Sequence, residues 1–172
     1  YLVLNAIELE IDGCRLDGES TPFRLEPDDE RLFVLPPQGI QPGEHVVEFE
    51  FRGVLNDQLR GFYRSTYRDE AGNERVIATT QMQSTDCRRA FPCWDEPDFK
   101  AVFGITLVVA PDLLAVSNGP EAERTIDPDG NSVVGFADTM VMSSYLVACV
   151  VGPLEATDWT DVDGIPVRIV HL

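Results

Sequence analysis

The chain has 172 residues, of which 44% are hydrophobic and 9% are aromatic, a composition that can bury about 70% of the unfolded surface around one core. Thirteen basic and thirty acidic residues give a net charge of −17, which excludes nucleic acid and anionic membranes as main partners because the dominant attraction would have the wrong sign. The sequence has no run of about eighteen or more apolar residues, so no membrane-spanning helix is predicted.

Apolar residues alternate with polar ones in three stretches, which predicts half-buried β-strands. The first stretch lies near the start of the chain, the second carries charged residues on its opposite face, and the third is the clearest. The residues that would share a face are Val3, Ile7, Leu9 and Ile11 in the first, Val47, Phe49 and Phe51 in the second, and Ala101, Phe103, Ile105, Leu107 and Val109 in the third.

Four Asp-Gly pairs predict tight hairpins, and hairpins join antiparallel neighbours. No window of about ten residues keeps the three- and four-residue apolar spacing of a helix, so we expect little helix. Short strands with frequent turns predict an all-β fold, an antiparallel β-sandwich or open barrel. The pairs are Asp12-Gly13, Asp17-Gly18, Asp129-Gly130 and Asp163-Gly164.

Residues 79–101 form the most informative stretch, because about twenty residues without strand alternation inside a compact chain are usually functional. Gln81 and Gln83 are two positions apart in it. In an extended segment they point to the same face and present two neutral amides, which suits recognition of a small polar group. The alternative is that each amide only satisfies backbone groups, since most side-chain hydrogen bonds go to backbone or water.

Opposite charges follow the two glutamines. Arg88 and Arg89 precede Asp95 and Glu96, and arginine–carboxylate pairs could hold an irregular segment rigid. Prolines at positions 92 and 97 exclude a regular helix or a central strand. The predicted apolar anchors of this loop are Phe91, Trp94 and Phe99.

The string from Thr80 to Ala101, with Arg-Arg-Ala-Phe-Pro-Cys-Trp-Asp-Glu-Pro at its centre, resembles a signature of the zinc aminopeptidases. It is similar to the amino-terminal domain of the aminopeptidase N group of gluzincins, and of the puromycin-sensitive aminopeptidase branch in particular. Residues 61–67 and 142–148 resemble the strands that flank this signature. The resemblance implies a large, saddle-shaped antiparallel sheet packed on a smaller one.

Members of that family remove single residues from peptide amino termini, using a zinc ion held by a His-Glu-x-x-His helix and a later glutamate. The only histidines here are His45 and His171, and Phe49 stands where the second histidine of such a helix would be. We therefore expect residues 1–172 to be a single amino-terminal β domain, truncated at both ends inside apolar runs and lacking the catalytic zinc domain. On this expectation the fragment holds no metal or cofactor and is catalytically inactive alone, and zinc belongs to the full-length enzyme.

The resemblance also implies substrate-binding roles for the two glutamines. The residue that matches Gln81 lines the pocket for the first side chain of the substrate, and the residue that matches Gln83 faces its free amino group. The second position is usually glutamate in the peptidases, whereas the leukotriene-hydrolase branch carries glutamine at both. Exchanging a carboxylate for a neutral amide weakens the contact with an ammonium group by about 1 to 2 kcal/mol. No catalytic residue is predicted in this chain.

The implied partners are peptide amino termini and the missing catalytic domain of the same polypeptide. The acidic charge either keeps the chain soluble or gathers cationic amino termini. A non-catalytic β-sandwich binding module is the alternative, since an acidic surface and Asp-Gly turns suit that class equally. The loop of residues 79–101 favours the aminopeptidase, because a generic sandwich does not need it.

The four cysteines, Cys14, Cys87, Cys93 and Cys149, have no Cys-x-x-Cys spacing, which argues against a zinc ribbon or a thioredoxin-type pair. Cys87 and Cys93 could form a disulfide within the loop, but reduced packing residues are the expectation. Because we expect the cysteines to be reduced and disulfides are rare in the cytoplasm, the cytoplasm is the predicted compartment.

Overall fold

The computed structural model describes all residues from Tyr1 to Leu172. It contains seventeen β-strands, three short 3-10 helices and no α-helix, so the predicted all-β class with little helix is confirmed. It has no helix with the length and apolar character needed to cross a bilayer. The 3-10 helices are Pro27–Asp29, Cys87–Arg89 and Ser144–Leu146.

The strands are Leu2–Asn5 (β1), Leu9–Leu16 (β2), Glu19–Ser20 (β3), Phe23–Glu26 (β4), Arg31–Val34 (β5), Val47–Gly53 (β6), Gly61–Arg68 (β7), Glu74–Gln81 (β8), Thr106–Val109 (β9), Leu114–Ser117 (β10), Glu121–Ile126 (β11), Ser132–Phe136 (β12), Cys149–Gly152 (β13), Glu155–Ala156 (β14), Thr160–Val162 (β15), Ile165–Val167 (β16) and Val170–His171 (β17).

Hydrogen bonding divides these strands among six sheets. Three sheets have three strands, in the orders β1-β5-β4, β3-β2-β6 and β11-β12-β9. The four-stranded sheet has the order β10-β13-β8-β7, and two hairpin-sized sheets pair β14 with β17 and β15 with β16. All of these strand pairs are antiparallel, as predicted, and no sheet closes into a barrel.

Three of the four Asp-Gly pairs lie in turns between strands, as predicted. Asp17 and Gly18 have φ of 53° and 84° and join β2 to β3. Asp163 and Gly164 have φ of 54° and 83° and join β15 to β16. Gly130, with φ of 89°, lies in the turn between β11 and β12. Positive φ is the conformation that short hairpin turns require and that glycine adopts without strain.

The prediction for Asp12-Gly13 is wrong, because both residues lie inside β2. The register between β2 and β6 shifts between Ile11 and Gly13, which is a β-bulge that absorbs one extra residue. Asp12 also binds the partner strand, with its Oδ2 atom 2.9 Å from Nε of Arg52. Continued pairing with β6 therefore overrides the local turn preference of this pair.

The largest buried cluster joins the β1-β5-β4 and β3-β2-β6 sheets. Leu9 and Ile11 are buried, as their alternation predicts, but Val3 and Ile7 are only partly buried. The predicted single face is interrupted because Glu8, with φ of 59°, separates β1 from β2. The cluster consists of Leu4, Ala6, Leu9, Ile11, Cys14, Leu32 and Val34.

The third alternating stretch packs as predicted only in its second half, because Ala101 is exposed and both Ala101 and Phe103 lie before the strand. Strand β9 begins only at Thr106. Ile105, Leu107 and Val109 are partly buried against a cluster formed by Ala115, Val134 and Phe136. This cluster joins the β11-β12-β9 sheet to β10 of the four-stranded sheet.

Candidate functional site

Strand β8 ends at Gln81, the first of the two predicted site residues. This strand pairs with β7 on one side and with β13 on the other, and Gln81 lies opposite Gly61 of β7. On the β13 side, Oγ1 of Thr80 accepts a hydrogen bond from the backbone N–H of Cys149 at 3.0 Å. The end of β8 is therefore held from both sides.

Gln81 and Gln83 are both exposed, and Met82 between them is buried. Met82 is 3% exposed and packs in a small cluster with Cys87 and Cys93. Strand β8 ends at Gln81 and Gln83 lies in the turn that follows, so the common face expected of an extended segment stays a prediction. The side-chain hydrogen bonds of this region are formed by other residues of the loop and its neighbours. The amide groups of Gln81 and Gln83 form none of them. Both amides are thus free to bind something outside the chain.

A closed turn carries Gln83. The backbone N–H of Asp86 donates to the carbonyl of Met82 at 2.9 Å, and the peptide bond between Gln83 and Ser84 is cis. Oδ1 of Asp86 accepts a hydrogen bond from Nε of Arg89 at 2.7 Å. The turn is therefore fixed by one backbone bond and one charge-assisted bond.

Arg89 also pairs through Nη1 with Oε1 of Glu8, and its side chain is only 10% exposed. Burial acts to lower the pKa of Arg89, but the ion pair with Glu8 and the hydrogen bond to Asp86 outweigh it, and the pKa is raised. The guanidinium is therefore charged throughout the physiological range.

Gly61 makes room for this arrangement at the start of β7. Its φ is +67°, and a Cβ atom built there would lie 2.9 Å from Cβ of Arg89 and 3.4 Å from the carbonyl oxygen of Asp86. Side chains rarely adopt this φ, and real Cβ atoms do not approach other atoms so closely. A glycine is therefore needed where the loop crosses the start of β7.

A buried ion pair holds the second half of the loop. Asp95 is 2% exposed, and its Oδ2 atom accepts from Nε of Arg88 at 3.1 Å and from the backbone N–H of Arg88 at 3.2 Å. Its Oδ1 atom accepts from the hydroxyl of Ser144 at 2.6 Å. Arg88 also donates to Oε2 of Glu30 at 2.7 Å. Such a pair contributes little net stability, but a single unpaired member would be costly, so the pair fixes the loop in one geometry.

Of the predicted set of opposite charges, Arg88 pairs with Asp95, whereas Glu96 takes no part in an ion pair. Glu96 is exposed, and Arg89 binds Asp86 and Glu8 instead. Sequence reasoning missed Glu8 because it lies in a different sheet connection, where no local pattern marks it as a partner.

Strand β1 anchors the loop from the other side. The backbone of Asn5 exchanges hydrogen bonds with Cys93 at 2.7 and 3.1 Å, and Nε1 of Trp94 donates to the carbonyl of Val3 at 2.8 Å. Of the three predicted apolar anchors, Phe91 is half-buried against the Met82 cluster, whereas Trp94 is 45% and Phe99 is 54% exposed. Backbone bonds to β1, more than aromatic burial, therefore hold this part of the loop.

One group of side chains lies close enough together to be considered as a metal site. Potential ligand atoms of Cys87, Cys93 and Asp95 lie within 4.8 Å of one another. Both cysteines are free thiols. A hydrogen bond with Cys93, together with burial, raises the pKa of the Cys87 thiol, whereas a metal ligand must be a thiolate. Both oxygens of Asp95 are already engaged by Ser144 and Arg88, so the group is better suited to packing than to metal binding.

Comparisons with known proteins agree on one family. The model of the Peptidase M1 N-terminal domain matches residues 1–146. Aminopeptidase M1-B of Oryza sativa subsp. japonica is 41% identical over 173 residues, and Aminopeptidase M1-C of the same organism is 43% identical over 173 residues. Each of these matches covers 98% of this chain and 19% of the relative.

The puromycin-sensitive aminopeptidase of Caenorhabditis elegans is 44% identical over 145 residues, which is 82% of this chain and 15% of the relative. The chain spans about a fifth or less of the length of these curated relatives. The matches include the loop of residues 79–101 and its flanking strands, so the resemblance seen in the sequence is confirmed. The chain belongs to the peptidase M1 N-terminal domain family.

Proposed function

We propose that residues 1–172 form one substrate-facing, amino-terminal domain of a zinc aminopeptidase that removes amino-terminal residues from peptides. The observation that carries this proposal is the pair Gln81 and Gln83. These two exposed amides flank a buried Met82 in a loop that ion pairs hold in place. Membership of the peptidase M1 N-terminal domain family supports the reaction class.

Each glutamine has a distinct role in this proposal. The amide oxygen of Gln83 accepts a hydrogen bond from the ammonium group of the peptide, and Gln81 lines the pocket for the first side chain. A neutral acceptor holds an ammonium less strongly than a carboxylate does, because charge-assisted hydrogen bonds are about twice as strong as neutral ones. Gln83 therefore sets a weaker amine contact than a glutamate at this position would.

The histidines of this chain do not fit the zinc site of such an enzyme. Both ring nitrogens of His45 are engaged, by Asp17 at 2.7 Å and by the carbonyl of Gln41 at 2.8 Å. His171 lies in the last strand and is not a member of the Cys87, Cys93 and Asp95 group. We therefore assign zinc and the catalytic general base to the remainder of the full-length polypeptide, and we expect this fragment to be inactive alone.

Exposed apolar side chains near the end of the chain suit contact with that catalytic domain. Six large apolar side chains between positions 159 and 172 are 44% to 64% exposed, which is unusual for a surface that stays in water. Covering them with the catalytic domain would remove this apolar area from solvent. They are Trp159, Val162, Ile165, Val167, Ile169 and Leu172.

The net charge and the free cysteines support two further parts of the proposal, the attraction of peptide amino termini and a cytoplasmic location. The net charge of −17 creates a negative field that attracts cationic peptide amino termini. Four free cysteines favour the cytoplasm as the compartment, since disulfides are rare there. Cell fractionation, with marker proteins for each compartment, tests the cytoplasmic location.

Replacing Gln83 by glutamate in the full-length enzyme tests the amine contact. Gln83→Glu should lower the KM for small aminoacyl substrates by about tenfold, because a carboxylate pairs with the ammonium more strongly than an amide does. Gln38→Glu is a matched control, because Gln38 is exposed in a loop and the substitution changes the net charge equally. An unchanged or raised KM for Gln83→Glu removes Gln83 from the amine site.

Assays on the purified fragment test whether zinc binding and catalysis lie outside residues 1–172. We expect no peptidase activity and no stoichiometric zinc from residues 1–172 alone. Zinc-dependent turnover by the fragment would show that the catalytic groups lie within this chain.

A further inference from the structure

A largely buried guanidinium, that of Arg89, binds the turn that carries Gln83. Gln83 lies in the turn that the backbone bond from Asp86 to Met82 closes at 2.9 Å. The side chain of Asp86 is held by Nε of Arg89 at 2.7 Å. Since the side chain of Arg89 is 10% exposed, water competes little for this bond.

Arg89 also ties the turn to a distant part of the fold. Its Nη1 atom pairs with Glu8, which lies in the connection between β1 and β2 and has φ of 59°. The connection joins the two sheets that share the largest buried cluster. The planar guanidinium can bind two carboxylates in fixed directions, whereas the ammonium of lysine is a point charge on a flexible stem.

The start of β7 packs against the aliphatic part of the Arg89 side chain. A Cβ atom at Gly61 would lie 2.9 Å from Cβ and 3.6 Å from Cδ of Arg89. Burying a guanidinium carries a desolvation cost that its ion pairs only offset. A well-packed apolar residue would stabilise the fold at least as well, so the charge is better explained by geometric control of the turn.

We propose that Arg89 is a positioning residue for Gln83. It holds Asp86, and through the turn between Met82 and Asp86 it fixes the direction in which the Gln83 amide faces the substrate amine. This inference rests on the proposed function, because it takes Gln83 as the amine-facing residue.

A double-mutant cycle in the full-length enzyme separates positioning from general stability. Arg89→Lys should raise the KM for small aminoacyl substrates by about three- to tenfold, while kcat changes by less than about twofold. In the Gln83→Ala background the same substitution should leave KM unchanged, because the amide that Arg89 positions is no longer there. Asp86→Asn should reproduce the rise in KM from the other side of the ion pair.

Arg124→Lys is the matched control for this cycle. Arg124 pairs with Glu121 at the same three-residue spacing, at 2.8 Å, as Arg89 does with Asp86 at 2.7 Å. It lies on β11, outside the proposed site, so its substitution should leave KM unchanged. Thermal unfolding of every variant measures any loss of stability. If Arg89→Lys does not fold, the change in KM on Asp86→Asn tests the proposal instead.

Two different failures can be told apart. Equal rises in KM on Arg89→Lys in the wild-type and Gln83→Ala backgrounds would overturn the positioning role, since Arg89 would then act independently of Gln83. A wild-type KM for both Arg89→Lys and Asp86→Asn would overturn it as well. A wild-type KM for Gln83→Ala alone would instead overturn the proposed function.

Discussion

Nδ1 of His45 lies 2.7 Å from Oδ2 of Asp17, and this contact favours the protonated form of the histidine. Nε2 of the same ring lies 2.8 Å from the carbonyl oxygen of Gln41. Both neighbours are hydrogen-bond acceptors, so both ring nitrogens must donate, and only the imidazolium can do so. The hydrogen bond to Asp17, followed by the bond to Gln41, raises the pKa of His45 above its usual value of 6.5.

The stability that His45 contributes should therefore depend on pH. A raised folded-state pKa means that this contribution is complete below the unfolded-state pKa and is lost as pH rises through the folded-state pKa. The pKa of Asp17 is lowered by the same contact and by the backbone N–H of Val46, so its contribution is lost as pH falls through the folded-state pKa of Asp17. The pair is therefore most stabilising between the unfolded-state pKa values of Asp17 and His45, and its contribution is lost as pH passes beyond the two folded-state values.

An NMR titration of His45 checks this prediction. The pKa of His45 should be above 6.5 in the wild-type chain and should fall towards the usual value in Asp17→Asn. Asp112→Asn, a change on an exposed residue in another connection, is the control and should leave the pKa of His45 unchanged. Equal values in the wild type and Asp17→Asn would show that the contact does not form in solution.

Truncating Asp95 should destabilise the chain strongly. Asp95→Ala removes the acceptor for Arg88 and Ser144 at a site that is 2% exposed. Breaking a buried ion pair from one side costs about 3 to 5 kcal/mol in the free energy of unfolding, with the lower end expected here because Glu30 still pairs with Arg88.

Denaturant unfolding measures this loss. Asp98→Ala is the control, because Asp98 is exposed in the same loop and its truncation should change the free energy of unfolding by less than about 0.5 kcal/mol. Similar values for the two variants would rule out a buried network around Asp95.

Gly61→Ala should lower the free energy of unfolding more than Gly72→Ala does. Both glycines have positive φ, 67° and 82°, so alanine is strained at either position by about 1 kcal/mol or more. Only at Gly61 does the new Cβ atom also meet Arg89 at 2.9 Å, while nothing lies within 4 Å at Gly72. The difference between the two unfolding free energies therefore isolates the steric term, and its absence would mean that the loop does not pack on β7 as described.

Sequence patterns predicted the strands and turns whose determinants are local. The alternation of Leu107 and Val109 and the Asp17-Gly18 turn needed only neighbouring residues to be read. Asp12-Gly13 failed because the pairing of β2 with β6, a non-local interaction, accommodated the glycine as a bulge.

The candidate site was predictable to a similar extent. Gln81 and Gln83 are both exposed, but the two-residue period of an extended chain applies only as far as Gln81, where β8 ends. The partners that brace the loop, Glu8 and Glu30, do not follow, because they come from connections in the first part of the chain that meet the loop only in the folded structure.

The most direct test of whether Gln83 meets the substrate amine is a crystal structure of the full-length protein with a peptide or peptide analogue that carries a free amino terminus. We predict that Oε1 of Gln83 lies within about 3.2 Å of the amine nitrogen and that Gln81 contacts the first side chain. A structure in which the amine is bound entirely by other residues, with both amides facing solvent, would contradict the proposal.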